Sequence, residues 1–336
     1  MQKFLLLSDD DKEAYFGVVA DKLNVIPQMI EKDFWVCWIL KILFSLPESG
    51  SHLTFKGGTS LSKCYNIIHR FSEDIDVSIE RSFFASAQSI EPDKDESGKE
   101  NQRRLDRLKI ACQEKIVDVI MPELRSSISA QLSKSSDWLL ELDQKDVDKQ
   151  TVLFTYPGVI KSSMGNYVQP IVKIEFGARS DHWPIETMNV QPYVTSLSNF
   201  DSEEEIPVRV LGAERTFWEK ATILHAVRYS SKVRVRMSRH YYDVFEMVHS
   251  AIFDKAIQNI DLLMKVAEHK DLFFKENKAR YDLAKPGSLR LLPQKEHVLQ
   301  LKGDYENMQT MFFEDPPAFD EILEKLKTVE GEINRI

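Results

Sequence analysis

Segments in which apolar and polar residues alternate predict the strands of a sheet in the first two thirds of the chain. In residues 171–176 every second position is apolar, which leaves Lys173 and Glu175 together on the other face of a strand. Residues 53–56, 138–142 and 152–156 are also predicted as strands, and one more strand begins at Asp74.

Helical spacing of apolar residues predicts a helix near the N-terminus. Phe34, Trp38 and their apolar neighbours up to residue 43 give this segment the spacing of a packed helix, so we interpret it as a structural element of the core. The charged residues at its start, Glu31, Lys32 and Asp33, are candidates for supporting a neighbouring site.

The last third of the chain is predicted to be mainly helical. An amphipathic helix begins at Glu214 and carries Phe217, Ala221 and Leu224 in one stripe. Further apolar stretches lie at 262–266, 273–274 and 312–313, with proline-containing breaks at 286–287 and 316–317. Between the two ends, residues 91–104 are polar and predict a mobile loop, which is followed by a helix over 105–132.

Composition restricts the class of protein. The chain has 336 residues, of which 43% are hydrophobic, enough for one large core or two ordinary ones. No apolar run approaches the roughly 20 residues that span a bilayer, and no signal-peptide pattern opens the sequence, so a cytoplasmic protein without membrane contact is expected. Cys37, Cys64 and Cys112 lie in apolar helical settings and are expected to be reduced, and the eight histidines form no zinc motif.

A glycine turn with neighbouring hydroxyls is the first candidate for chemistry. Gly57 and Gly58 follow the strand 53–56, Thr59 or Ser60 is predicted as the N-cap, and residues 61–69 as a helix. Free backbone N–H groups at a helix start favour an anion, so this segment is a candidate phosphate site.

Two carboxylates follow on the next strand. Asp74 and Asp76 are two residues apart, which places both side chains on one face while Ile75 and Val77 occupy the other. Adjacent carboxylates repel unless a cation lies between them, and oxygen ligands suit Mg²⁺. The glycine turn and the two carboxylates together therefore predict a binding site for a metal-bound nucleoside triphosphate.

These residues resemble a known family. Lys-Gly-Gly-Thr-x-Leu followed by Arg-Phe-Ser-x-Asp-Ile-Asp is similar to the signature of the AbiEii/AbiGii nucleotidyltransferase toxins, a branch of the DNA polymerase β-type nucleotidyltransferase superfamily. Thr59 fills the position of the superfamily's serine. The resemblance implies that the turn and its flanks bind nucleotide, through Lys56, Gly57, Gly58, Thr59, Ser60, Arg70 and Ser72.

Later segments extend the resemblance over most of the chain. Glu175 matches the third carboxylate of the superfamily, which with Asp74 and Asp76 implies a site for two Mg²⁺ ions. Lys220 matches the lysine that contacts nucleotide phosphates. Asp243 matches a retained acid whose expected role is to position Lys220, although His240 stands where this branch often carries Asp.

The resemblance also implies a fold and a domain plan. We expect an α+β protein in which residues 1–210 form a nucleotidyltransferase core, a mixed sheet flanked by helices, with N-terminal helices and a helical and loop insertion around 83–135. Residues 211–336 are expected to form a C-terminal helical domain that contributes to the active site.

The implied activity is Mg²⁺-dependent transfer of a nucleoside monophosphate from a triphosphate to an acceptor hydroxyl. The resemblance implies the toxin of a type IV toxin-antitoxin or abortive-infection phage-defence system, with the tRNA 3′ end as the expected acceptor and an antitoxin encoded by an adjacent gene. A net charge of −9 argues against binding of nucleic acid through the overall charge of the protein. Four basic residues before Asp243 are nevertheless candidates for contacting RNA or phosphate, namely Lys232, Arg234, Arg236 and Arg239.

Two alternatives stay open from sequence. One is a regulator that binds GTP or ATP without transferring it. The other is an interaction protein whose helical half binds an antitoxin or nucleic acid.

Overall fold

A mixed β-sheet organises the first of two compact units. The computed structural model describes residues 1–84, 90–132, 137–160, 168–198, 200, 205–276 and 278–336. One unit comprises residues 1–64, 71–91 and 103–210, and the other comprises residues 65–70, 92–102 and 211–336. Parts of the predicted insertion at 83–135, residues 85–89 and 133–136, lie outside the described residues.

Among the described residues, seven strands form the sheet in the order β3-β4-β5-β2-β1-β7-β6. The pairs β1/β2, β3/β4 and β4/β5 are antiparallel, whereas β2/β5 and β1/β7 are parallel. This mixed arrangement confirms the predicted α+β class. The strands are β1 (Leu53–Lys56), β2 (Ile75–Ile79), β3 (Leu139–Leu142), β4 (Thr151–Thr155), β5 (Ile171–Gly177), β6 (Ile185–Val190) and β7 (Ile206–Leu211).

Helices precede the sheet, interrupt it and follow it along the chain. Those before residue 211 are α1 (Gln2–Leu5), α2 (Asp9–Leu23), α3 (Pro27–Phe44), α4 (Gly57–Lys63), α5 (Gly98–Lys115), α6 (Met121–Gln131) and α7 (Tyr193–Ser196). Those after it are α8 (Ala213–Tyr229), α9 (Ser238–Val248), α10 (Ala251–Gln258), α11 (Asp261–Phe273), α12 (Lys295–Glu306) and α13 (Phe319–Ile333). A π-helical stretch, Ile116–Ile120, joins α5 to α6.

Helix α3 is the packing element that the apolar spacing predicted. Its residues from Met29 to Leu40 are buried without interruption. Trp35 stacks on Tyr156 at 5.4 Å between ring centroids, and Trp38 stacks on Phe154 at 5.7 Å. Large aromatic surfaces of this kind supply much of the apolar burial that stabilises a core.

Two predicted boundaries are wrong. The polar segment 91–104 is not a loop throughout, because α5 begins at Gly98, and a helix can start in a polar sequence when its later turns pack. The helix expected over 61–69 begins earlier and ends earlier, at Gly57 and Lys63, and the chain after it returns to β2 without helical structure.

The second unit is helical among its described residues, as predicted for the last third of the chain. The start of α9 is held by a carboxylate from α12: Asp304 accepts hydrogen bonds from the backbone N–H groups of Arg236 and Ser238 and from the Ser238 hydroxyl. Met237 is the N-cap of this helix, and Ser238 is its first residue. None of the helices described here is both long enough and apolar enough to cross a membrane.

Candidate active site

Strand pairing in the first unit brings three of the predicted site residues into one row. Lys56 on β1 lies opposite Asp76 on β2, and Asp76 lies beside Glu175 on β5. Residues in register on neighbouring strands have side chains on the same face, about 5 Å apart. Ile75 and Val77 are fully buried on the opposite face, so Asp76 is held on the face that the alternation predicted.

Gly57 allows the carboxylate of Asp76 to approach the backbone. Its φ is +82°, in the left-handed region that favours glycine, and a Cβ at this position would lie 2.1 Å from Oδ2 of Asp76. Both the conformation and the contact therefore require glycine here. The predicted N-cap is corrected at the same point: Lys56 is the N-cap of α4, because a positive φ at Gly57 turns the chain directly into the helix.

The hydroxyls expected to bind phosphate are engaged with the protein itself. Thr59 Oγ1 donates to the carbonyl oxygen of Asp74 at 2.5 Å and lies 2.9 Å from Ser72 Oγ. Ser60 Oγ donates to the carbonyl oxygen of Gly57 at 2.9 Å. Both side chains are buried, so these hydroxyls fix the shape of the turn and the position of Asp74.

The acidic residues around Asp74 affect its ionisation. Burial and the charges of Glu175, Glu73 and Asp76 together raise the pKa of Asp74 to about 6, while Lys173 opposes them. A carboxylate in this setting is stabilised by any cation that binds beside it. The arrangement is thus the electrostatic environment that a divalent cation with oxygen ligands would occupy.

Glu175 is paired with a cation from its own strand. Lys173 Nζ donates to Glu175 Oε1, and this contact raises the pKa of Lys173 although burial lowers it. Within the described part of the chain, no three His, Cys, Asp or Glu side chains converge as a metal site. The carboxylates fit Mg²⁺ in their chemistry and charge, but the predicted set of Asp74, Asp76 and Glu175 is not gathered around one point.

In the second unit, Asp243 accepts hydrogen bonds from two buried cations. Arg70 Nε and Nη2 donate to its two oxygens at 2.8 and 2.9 Å, and Lys220 Nζ lies 2.7 Å from Oδ2. Burial alone would raise the pKa of Asp243, but Arg70 and Lys220 hold it well below its usual range, so the side chain is ionised. The contact predicted between Asp243 and Lys220 is therefore present. Arg70, which was expected to bind nucleotide, forms an ion pair with Asp243 in this structure.

The segment around α9 carries the other basic candidates. Burial, together with Lys220 and Arg239, lowers the pKa of His240 well below its ordinary value, so its ring is neutral. The described residues offer no hydrogen-bond partner to its Nδ1. The predicted RNA or phosphate candidates Lys232, Arg234 and Arg236 are exposed, and Arg239 is half-buried.

Lys32 and Asp33 were predicted to support a neighbouring site, but their partners Glu73 and Lys63 were not predicted from sequence. Glu73 forms an ion pair with Lys32, Lys63 with Asp33, and Lys173 with Glu175. The run of three charged residues at 31–33 in an otherwise apolar helix indicates that Lys32 and Asp33 have partners, because buried charges require them. The alternation of β5 had already placed Lys173 on the face of Glu175.

A family model decides the identity of the chain. The model described as "Nucleotidyl transferase AbiEii toxin, Type IV TA system" matches residues 38–325, which is most of the sequence. The chain belongs to this family. It is a nucleotidyltransferase, the toxin of a type IV toxin-antitoxin system, and the family implies a nucleoside triphosphate substrate and an antitoxin partner.

Comparison with solved structures finds a toxin. The chain is similar to MenT4, a nucleotidyltransferase toxin of Mycobacterium tuberculosis H37Rv, with 13% sequence identity and a TM-score of 0.37, over 87% of this chain and 98% of that one. A likeness of this size supports no further conclusion about the AbiEii-family chain. No curated protein is similar enough to count as a match.

Proposed function

We propose that this AbiEii-family toxin transfers a nucleoside monophosphate from a nucleoside triphosphate to a hydroxyl group of RNA, with the tRNA 3′ end as acceptor, in a reaction that requires two Mg²⁺ ions. The observation that carries the proposal is the row formed by Lys56, Asp76 and Glu175 on three paired strands, next to Gly57. Carboxylates concentrated beside a glycine turn are the arrangement that metal-dependent phosphoryl chemistry needs.

Each residue has a proposed role. Asp74 and Asp76 would hold Mg²⁺, and Glu175 would orient the acceptor hydroxyl and receive its proton. When bound, Mg²⁺ neutralises the phosphate oxygens and favours departure of pyrophosphate. For Glu175 to act in this way its carboxylate must leave Lys173, which would then remain beside the site as a compensating cation.

Further residues are proposed to contact the phosphates of the nucleotide. Gly58, Thr59 and Ser60 would hold the β and γ phosphates through backbone N–H groups, because the hydroxyls of Thr59 and Ser60 already donate to carbonyls. Lys220 is proposed to neutralise phosphate charge while Asp243 fixes its position. This role for Lys220 follows from its match to the lysine that contacts nucleotide phosphates in the family.

The basic residues near α9 are proposed to contact the RNA backbone. Lys232, Arg234 and Arg236 are exposed, as phosphate contacts require, and such contacts position a nucleic acid without reading its sequence. Replacing Arg234 and Arg236 by Gln would weaken tRNA binding and reduce its salt dependence. An unchanged salt slope would remove these residues from the interface.

A labelled transfer assay tests the reaction. The protein is incubated with each α-³²P-labelled triphosphate, Mg²⁺ and total tRNA, beside Asp76→Asn and a control, Asp254→Asn, which removes an exposed carboxylate of the second unit. We expect label on RNA with the wild type and with Asp254→Asn, and none with Asp76→Asn. Label on protein would overturn the acceptor class, and nucleotide that binds without covalent attachment would favour the regulatory alternative.

The biological role is proposed on the same basis. We propose that the cognate antitoxin is encoded by an adjacent gene and that the pair acts in abortive infection against phage. Expression of the toxin alone should arrest growth, co-expression with the neighbouring gene should restore it, and Asp76→Asn should be harmless without the neighbour. Plaque formation that is equal with and without the gene pair would argue against phage defence.

A further inference from the structure

Three consecutive charged residues are buried at the start of α3. Glu31, Lys32 and Asp33 are only 3%, 6% and 4% exposed, within a helix whose following turns are apolar. Burial of a charge is costly unless the group is paired or hydrogen-bonded. Each of the three therefore needs a partner inside the protein.

Each of the three reaches a different segment of the chain. Glu31 Oε1 accepts a hydrogen bond from the backbone N–H of Val159 at 2.6 Å. Lys32 Nζ lies 2.8 Å from Glu73 Oε2. Successive helical residues point about 100° apart, so neighbours on one turn contact different parts of the protein.

Asp33 makes two further contacts. Its Oδ1 lies 2.7 Å from Lys63 Nζ, and its Oδ2 accepts from the backbone N–H of Tyr193 at 2.7 Å. Lys63 also lies over the ring of Tyr193, with 3.6 Å from Nζ to the centroid. The charge of Asp33 raises the pKa of Lys63, although burial lowers it, which keeps the ammonium ionised inside the core.

One of these contacts holds the segment that carries Asp74 and Asp76, and the other holds the helix that follows the glycine turn. Glu73 is the residue before Asp74, and Lys63 is the last residue of α4, the helix that begins at Gly57. The two segments are joined to each other by Thr59, whose hydroxyl donates to the carbonyl of Asp74. Two adjacent residues of α3 therefore contact both the segment that carries Asp76 and the helix α4 that begins at Gly57.

We infer that Lys32 and Asp33 are positioning residues for nucleotide transfer: their ion pairs with Glu73 and Lys63 fix the segment 73–76 against α4. This inference rests on the proposed function of Asp74 and Asp76. Stability alone is a weak explanation, because a buried ion pair is often no more stabilising than apolar side chains of the same volume. Groups that orient the residues around a metal site, by contrast, cost about 10- to 100-fold in affinity or activity when they are removed.

The test compares Lys32→Met with Lys32→Arg and with Arg81→Met. Arg81 is a matched control, since it forms an ion pair with Asp181 at 2.9 Å in the same unit and follows the far end of β2. Amide hydrogen exchange of residues 71–76 is measured by mass spectrometry, together with kcat, KM and the Mg²⁺ concentration for half-maximal transfer. Hydrogen exchange can be measured without nucleotide, metal or activity, so it reports on the ion pairs of Lys32 and Asp33 independently of the reaction.

We expect at least about tenfold faster exchange and an about tenfold lower kcat for Lys32→Met, with KM for the acceptor unchanged. Lys32→Arg should retain most of the activity, and Arg81→Met should lose stability without either effect. Unchanged exchange in Lys32→Met would overturn the inference, as would faster exchange with wild-type kcat. If the wild type transfers no nucleotide while exchange is still faster in Lys32→Met, the proposed function is wrong, and the ion pairs have a structural role only.

Asp33→Asn provides a second, independent variant. It keeps an oxygen for the Tyr193 amide but removes the charge that compensates Lys63. The same increase in exchange is expected in α4 and in residues 71–76, because Thr59 links these segments. An effect confined to α7, where Tyr193 begins the helix, would contradict a role for Asp33 at the site.

Discussion

Replacing Gly57 by alanine should separate backbone strain from displacement of a site carboxylate. Gly57 has φ +82°, and an added Cβ would lie 2.1 Å from Oδ2 and 2.8 Å from Cγ of Asp76. Contacts to a real Cβ are essentially never shorter than 3.0 Å. Asp76 must therefore move, or the turn must open.

The two consequences have different magnitudes. A non-glycine residue in the left-handed region costs about 1–2 kcal/mol in the free energy of unfolding. Relief of the contact moves the carboxylate by about 1 Å, and a misplacement of that size at a reacting site costs about 100-fold in rate. We therefore expect Gly57→Ala to lose modest stability and most of the transfer activity.

Gly287→Ala is the matched control. Gly287 has φ +83°, but nothing lies within 4 Å of an added Cβ, so this variant carries the backbone strain without the contact. Urea unfolding should give a similar loss for both variants, and the labelled transfer assay should show a loss only for Gly57→Ala. Wild-type transfer by Gly57→Ala, or an equal loss by Gly287→Ala, would refute the reasoning.

Three further predictions concern hydrogen bonds and buried charges. Asp243→Asn should lower the free energy of unfolding by about 3–5 kcal/mol in urea titrations, because it leaves Arg70 and Lys220 buried without a counter-charge. A loss below about 1 kcal/mol would contradict the pairing. Glu31→Gln should remove about 3 kcal/mol of pH dependence from the unfolding free energy between pH 4.5 and 8, and identical pH profiles for wild type and variant would disprove it. Thr59→Val should lower transfer about tenfold by releasing the carbonyl of Asp74, whereas Thr59→Ser should not; equal activity of both variants would exclude this contact from the site.

The direction of the Glu31 effect follows from its pKa. Burial raises the pKa of Glu31 from 4.5 to about 7, so the folded protein holds a proton that the unfolded chain releases at lower pH. The contribution of Glu31 to stability is complete below pH 4.5 and is lost as the pH rises through about 7. The direction for Asp243 is opposite, since its pKa is lowered by Arg70 and Lys220, and its contribution is present above pH 3.8 and lost in stronger acid.

Local patterns were sufficient for the strands that carry the site. The predicted strand 53–56 is β1 without change, and the alternation of 171–176 placed Lys173 and Glu175 on one face of β5. Period-two alternation is a direct consequence of strand geometry, so it survives in the folded protein. The pairing of Asp76 with Glu175 depends on strand order, which no local pattern specifies.

The details of the turn required the three-dimensional structure. Sequence placed the cap of α4 at Thr59 or Ser60, because hydroxyl residues favour caps, but the positive φ of Gly57 starts the helix earlier and turns both hydroxyls to backbone carbonyls. The partners of Lys32 and Asp33 lie 30 residues or more away along the chain, beyond the reach of periodicity. Burial of the two charges could be suspected from sequence, but their partners could not.

The central claim is that the carboxylates beside Gly57 support nucleotide transfer to RNA. The most direct measurement is incorporation of each α-³²P-labelled triphosphate into total tRNA by the wild type, Asp76→Asn and Asp254→Asn, with and without Mg²⁺. The account predicts Mg²⁺-dependent label at the RNA 3′ end for the wild type and Asp254→Asn, and none for Asp76→Asn. Label that persists in Asp76→Asn, or that appears on protein and not on RNA, would contradict it.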